Sequence, residues 1–225
     1  MTIEVMGLHD STAYLGSAIN LNDLADTEVD NRISKAWAKY GVFKKELNDH
    51  SIPLNLRLQL FAAVITPSIL YASECWTLTS KRQTKIRTTQ RRMMRLITGA
   101  HRSYDDYEDH ASWMKDTTRE VEATMETHGV AQWTTIQLER TWKWAAKVAQ
   151  AGGKWSYTLA TWFAHGSRGI GKPKARWADS IKRFLTSHTL TWHEDNDWIK
   201  IARDTDRWNN LLVDFISFND LDGHE

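Results

Sequence analysis

The stretch SKRQTKIRTTQRRMMRLITG, residues 80–99, decides how the rest of the chain is read. It contains no proline and no acidic residue. Ile86, Met93, Met94 and Ile97 recur near a helical period, Thr79 or Ser80 caps the start, and Gly99 supplies a stop. The spacing predicts a helix over 80–98. On it stand Lys81, Arg82, Lys85, Arg87, Arg91, Arg92 and Arg95, seven cations within 15 residues. Lys81, Lys85, Arg92 and Arg95 share one side at i, i+4, i+11 and i+14, while Arg87, Arg91 and Arg95 form a second row at i, i+4 and i+8. Two rows flanking an apolar stripe predict a broad basic ridge. Such close like charges repel, and a polyphosphate relieves the repulsion while releasing its counterions. The other reading is a solvated face balanced by carboxylates from elsewhere in the fold.

Working outward, residues 27–48 read as a helix capped by Thr27, with Val29, Ile33, Trp37, Tyr40 and Leu47 as its stripe. A second helical run covers 52–79 behind Pro53, broken near Pro67. Its face is Leu56, Leu60, Val64 and Ile65, widened by Leu58 and Phe61. At the N-terminus, Thr2–Val5 and Tyr14–Ile19 alternate around a turn in Gly7–Thr12, a hairpin pattern. Downstream, 100–130 reads as a linker with an acidic run from Tyr104 to Asp109 and a short helix near 116–127. Helices resume at 131. One carries Ile136, Leu138, Trp142 and Ala145, and one carries Trp177, Ile181, Phe184 and His188. A last one over 195–216 carries Trp198, Ile201, Trp208, Leu211, Leu212 and Phe215.

Composition narrows the function classes. Lys and Arg number 29 against 28 Asp and Glu, a net charge of +1, so any polyanion must be met by local patches. The single cysteine, Cys75, excludes an internal disulfide and a Cys-rich zinc site. It sits in an apolar helical context and is expected to be buried. One cysteine fits a reducing compartment, so the expected location is intracellular, nucleus or cytoplasm. No apolar run is long enough for a membrane span and no signal peptide is evident, so no membrane partner is expected. The nine histidines form no metal-ligand pattern, so neither metal nor cofactor is expected. His188 reads as a core residue, and Asp204 and Asp206 as helix salt-bridge partners of Arg203 and Arg207.

Two further basic groups stand out. Arg168, Lys172, Lys174, Arg176, Lys182 and Arg183 follow a loop with Gly169, Gly171 and Pro173. Its spacing is neither a P-loop nor a dinucleotide fingerprint. Arg140, Lys143 and Lys147 lie at i, i+3 and i+7 beside Trp142 and Trp144. Exposed tryptophans there would stack on bases; at helical spacing tryptophan is more often core.

Taken in order, these elements resemble a known family. Tyr14-Leu15-Gly16, then LRLQLFAAVITPSILYASECWTLT, then RTTQRRMMRLITG is similar to the region after the palm in non-LTR, LINE-like retrotransposon reverse transcriptases. Val64, Pro67, Leu70, Tyr71, Glu74, Trp76, Leu78, Gln90, Arg92, Arg95, Ile97 and Gly99 match the family pattern, and Ala72 stands where the family has glycine. LERTWKWAAKVAQ, GKPKARWADSIKRF and ARDTDRWNNLLVDF resemble the family's tail. Ala146 and Lys147 replace a Gly-His pair, Lys172 an arginine and Ser180 an aspartate.

The resemblance implies a mostly α fold. A short β-hairpin (1–20, a palm and primer-grip remnant) would precede a thumb-like three-helix bundle (21–99). A linker (100–130) and a second small helical domain (131–225) would follow. It implies a non-catalytic portion of an RNA-directed DNA polymerase, whose catalytic aspartates lie upstream in a palm that is normally part of the same polypeptide. Tyr104-Asp105-Asp106 lacks the intervening residue of the family's Tyr-X-Asp-Asp motif. The implied partner is an RNA/DNA template–primer. It would be held through Lys81, Arg82, Lys85, Arg87, Arg91, Arg92 and Arg95, with auxiliary contacts from Lys172, Lys174 and Arg176. The rival expectation is a helical interaction or scaffold module from a degenerate element, with no nucleic-acid role.

Overall fold

The computed structural model of the chain describes residues 11–14, 16–20, 24–77, 79–100, 109–161, 176–188 and 198–220. It is mostly helical and divides into two compact units: residues 1–71 with 84–133, and residues 72–83 with 134–225.

In the first unit, β1 (Ser11–Tyr14) and β2 (Ser17–Asn20) pair antiparallel, with Tyr14 opposite Ser17 and Ser11 opposite Asn20. The turn of this hairpin passes through Gly16 at φ +85°; of the turn expected in residues 7–12, Ser11 and Thr12 lie in β1 and the rest falls outside the described residues. So tight a connection needs a positive φ, which glycine adopts without steric cost. The strand expected at Thr2–Val5 lies outside the described residues. The hairpin is tied to α1 (Leu24–Val42) by charge. The Glu28 carboxylate accepts from the Ala18 amide at 2.5 Å and from Arg32 Nε at 2.6 Å, and Arg32 Nη2 donates to the Gly16 carbonyl at 2.5 Å.

The expected 27–48 helix begins earlier, at Leu24, and breaks at Phe43 into α1 and α2 (Lys44–Asn48). Proline sets the next boundaries. α3 (Leu54–Val64) starts behind Pro53, and α4 (Thr66–Ile69) carries Pro67 in its first turn, where a missing N–H costs nothing. The buried face is Leu58, Phe61, Ile65, Ile69 and Leu70. Leu56, placed inward by the sequence reading, is 49% exposed. The alternation Leu54, Leu56, Leu58, Leu60 fits two faces equally, and packing selects one.

α5 (Ser80–Thr98) keeps the expected bounds. Ile86, Met93, Met94 and Ile97 are all buried. Gly99 stands at φ +77° and the Ala100 amide donates back to the Arg95 carbonyl at 2.9 Å, a Schellman stop. A Cβ on Gly99 would come within 2.8 Å of the His50 ring. The segment read as a linker holds an 18-residue helix, α6 (His110–Thr127), capped by Asp109. Thr117, Val121 and Met125 point inward from it.

The second unit contains a 3-10 turn at Ser73–Cys75, the first turn of α5 and most of α7 (Trp133–Gln150). α8 (Trp155–Thr161), α9 (Asp179–Ser187), α10 (Trp198–Ala202), α11 (Thr205–Asn210) and α12 (Leu212–Asn219) complete it. Trp142 and Trp208 stack with ring centroids 3.7 Å apart. Each indole N–H donates to the other residue's backbone carbonyl, at 2.9 and 3.0 Å. These two buried indoles thus keep their polar handle satisfied. Phe184 and Phe215 pack edgewise and tilted against Trp142. The last helix, expected over 195–216, is three short ones. Asp204 is the N-cap of α11, accepting from the Arg207 amide at 3.1 Å, and not a salt-bridge partner along one helix. Among the described residues no helix is long and apolar enough to cross a membrane.

Candidate nucleic-acid interface

α1 and α5 lie side by side in the first unit, and their contacts fix which cations of α5 face out. Lys85 pairs with Asp30, and Arg92 lies 5.4 Å above the Trp37 ring, so positions seven apart on one helix meet positions seven apart on the other. Lys85 and Asp30 are both about half exposed. Arg92 is exposed and has no hydrogen bond or ion pair among the described residues.

The other row turns inward. Arg87 and Arg95 retain only 4% and 7% of their exposure. Arg95 Nε donates to Thr117 Oγ1 at 3.1 Å and its Nη2 to Thr118 Oγ1 at 2.6 Å, with the Trp113 ring 5.9 Å away. Burial, and secondarily the like charge of Arg91, lowers the Arg95 pKa, while Glu122 opposes the shift. Arg91 is held by Glu122 in a half-buried ion pair. Arg87, Gln90, Arg91 and Glu122 line a small crevice with Met125 and Gln132. The two outward rows expected from spacing are therefore not both formed. α6 covers one of them and supplies hydroxyls and a carboxylate, so the broad ridge narrows to Lys85 and Arg92 in this unit.

In the second unit, Lys81 is exposed. Arg82 is half-buried and donates to the Thr77 carbonyl at 2.7 Å. Of the auxiliary cations, Arg176 is exposed, and its backbone amide donates to Asp179 Oδ2 at 2.6 Å. Arg168, Lys172 and Lys174 lie outside the described residues, as does Tyr104-Asp105-Asp106. Among the described residues no group of three His, Cys, Asp or Glu stands close enough to hold a metal ion.

Two single-residue expectations change. Cys75 is exposed rather than buried, because it sits on the 3-10 turn and not inside a helix. Partial burial of its sulfur, with Glu74 beside it, raises the thiol pKa. His188 is exposed too, its ring resting on Phe184 at 4.2 Å and its Nδ1 near the Phe184 carbonyl.

Five of the residues that carry the resemblance serve the interior. Leu70, Trp76, Gln90, Arg95 and Ile97 are buried. The Gln90 amide bridges the backbone of the turn before α7, donating to the Ala131 carbonyl at 3.0 Å and accepting from the Trp133 amide at 2.9 Å. Ala72, at the family's glycine position, has φ +54°, the left-handed region. Arg57, which the sequence reading passed over as part of an apolar run, is 5% exposed. It donates to the carbonyls of Leu47, Ile52 and Ile97 at 3.2, 3.0 and 2.5 Å, joining the ends of α2 and α5 to the loop before α3. The signal for it was a lone charge among leucines.

No family model matches the chain, and no solved structure matches it. The chain is similar to an uncharacterized transposon-derived protein of Caenorhabditis elegans, 25% identical over 205 residues that span 88% of this chain and 68% of that protein. The similarity connects the chain to transposon-derived sequence.

Proposed function

We propose that the chain is the non-catalytic, post-palm portion of a retrotransposon RNA-directed DNA polymerase, and that it steadies template–primer nucleic acid through the outward cations of α5. The carrying observation is Arg92. Its guanidinium is exposed, unpaired among the described residues and propped over the Trp37 ring. The Lys85–Asp30 pair beside it is half exposed, and such a pair contributes only about 0–1 kcal/mol, so a phosphate can replace the carboxylate at little cost. Contacts of this kind position a duplex without reading its bases. The order of the motifs and the similarity to a transposon-derived protein support the same origin. Lys172, Lys174 and Arg176 belong to the proposal as auxiliary contacts.

A second reading is a helical interaction module without a nucleic-acid role. It draws on the same geometry: Arg87 and Arg95 are buried, and among the described residues Lys85 and Arg91 are paired with carboxylates. Filter binding of an RNA/DNA hybrid duplex to the full chain separates the two. The proposal expects low-salt binding that Lys85→Gln with Arg92→Gln weakens about tenfold. Absence of wild-type binding at low salt favours the interaction module.

A further inference from the structure

The second unit carries a basic and aromatic pocket that the proposed α5 contact does not use. Arg140, Lys143, Trp144 and Lys147 of α7 line an open depression of ≈ 290 Å³ with Glu74. The four α7 residues share one face, since offsets of three, four and seven fall within a narrow arc of a helix. Glu74 is placed opposite by its backbone. Its carbonyl accepts from Trp177 Nε1 at 2.7 Å and from Thr141 Oγ1 at 3.4 Å, which fixes the 3-10 turn against α7. Trp142, two residues before Trp144, is spent in the core, whereas Trp144 packs on that core while staying half-exposed.

Three of the pocket's polar groups stand open to a ligand. Among the described residues, the Lys147 ammonium, the Trp144 indole N–H and the Glu74 carboxylate have no hydrogen-bond or ion-pair partner. Lys143 is paired with Glu139 at 2.5 Å, an exposed pair that exchanges readily. The depression therefore offers an aromatic face, cations beside it and one acceptor. Its volume sits at the lower end of small-ligand sites.

We propose that this pocket binds one unpaired nucleotide of a single-stranded nucleic acid. The base stacks on Trp144, its phosphate meets Lys147 and Arg140, and Glu74 accepts from a donor on the base edge. Strand-paired bases have both faces covered by their neighbours, so only an unpaired base can offer a face to the indole. Glu74 repels phosphate and so orients the nucleotide, base toward the turn and backbone toward Lys147. The site stands independently of the α5 contact, which concerns duplex.

The test is fluorescence anisotropy of a labelled single-stranded RNA of roughly 12 nucleotides, titrated with the full chain. Trp144→Ala is expected to weaken binding about tenfold or more, the size of one lost base stack. Trp144→Phe, which keeps an aromatic face and the packing, is expected to stay within about threefold. Lys147→Gln, at an exposed position, is expected to weaken binding and flatten its salt dependence. Hybrid-duplex binding, which reports on α5, is expected to be unchanged by Trp144→Ala. Millimolar nucleoside monophosphate is expected to displace the RNA where equal inorganic phosphate does not. The proposal is overturned if Trp144→Ala, folded by circular dichroism, and Lys147→Gln leave affinity untouched, or if the wild-type chain does not bind the strand. Equal displacement by phosphate, or a monomer binding as tightly as the strand, overturns it as well.

Discussion

Replacing Arg95 by alanine should unfold the first unit more easily, while replacing Arg92 by alanine should not. Arg95 makes two hydrogen bonds to threonine hydroxyls at 3.1 and 2.6 Å with its residue 7% exposed. Bonds from a charged donor contribute about 1.5–3 kcal/mol each, so the gross loss is about 3–6 kcal/mol. Part of that returns, because the lowered Arg95 pKa marks a charge that pays for its desolvation. The hydroxyls themselves stay bonded, Thr117 Oγ1 donating to the Trp113 carbonyl at 2.8 Å and Thr118 Oγ1 to the Met114 carbonyl at 2.6 Å. No donor is therefore orphaned, and a net cost of about 2 kcal/mol remains. For a unit of this size that lowers Tm by roughly 6–10 °C. Arg92 loses one exposed cation–π contact, about 0.5–1 kcal/mol. Urea unfolding followed by circular dichroism measures both. If Arg95→Ala is neutral, or if Arg92→Ala is the more damaging, the division of α5 into structural and outward cations is wrong.

Three other perturbations follow from single residues. Arg57→Met removes three bonds to backbone carbonyls at the ends of α2 and α5 and should cost about 3–5 kcal/mol in a urea titration; a loss under about 1 kcal/mol would mean the carbonyls are otherwise satisfied. Ala72→Gly should be neutral or stabilise by up to about 1 kcal/mol, since it relieves a left-handed alanine. Gly99→Ala should destabilise by about 1–2 kcal/mol; equal signs for the two in thermal melts would contradict the assigned backbone. Burial raises the Tyr40 pKa, with the Asn48 bond opposing. The folded phenol then stays neutral where the unfolded one ionises, so its contribution is intact below about pH 10 and lost as pH climbs above it. Tyr40→Phe should flatten that alkaline decline in a pH series of urea melts, and an unchanged decline would exclude Tyr40 as its source.

How far the sequence could be read depends on where each signal is local. The bounds of α5 were legible because Thr79, the apolar period and Gly99 all act within one helix. The inward turn of Arg87 and Arg95 was not, because α6 supplies the partners, and its period of Trp113, Thr117, Val121 and Met125 was hidden behind the acidic run before it. The tryptophans of residues 195–216 suggest one continuous helix, although Asp204 three residues before Arg207 is itself a capping signal. The pocket at Trp144 was half legible. The stripe of cations shows in the spacing, but Glu74 is brought to it from about seventy residues away. Which tryptophan of the pair is spent in the core is likewise a matter of tertiary packing.

In the proposed function α5 offers some cations to phosphate while others hold the fold. The slope of log K against log salt for a hybrid duplex tests that most directly, comparing the wild-type chain with its Lys85→Gln, Arg92→Gln variant. Two lost phosphate contacts predict a slope shallower by roughly 1.8, with Tm nearly unchanged. Parallel salt lines for the two proteins would contradict it.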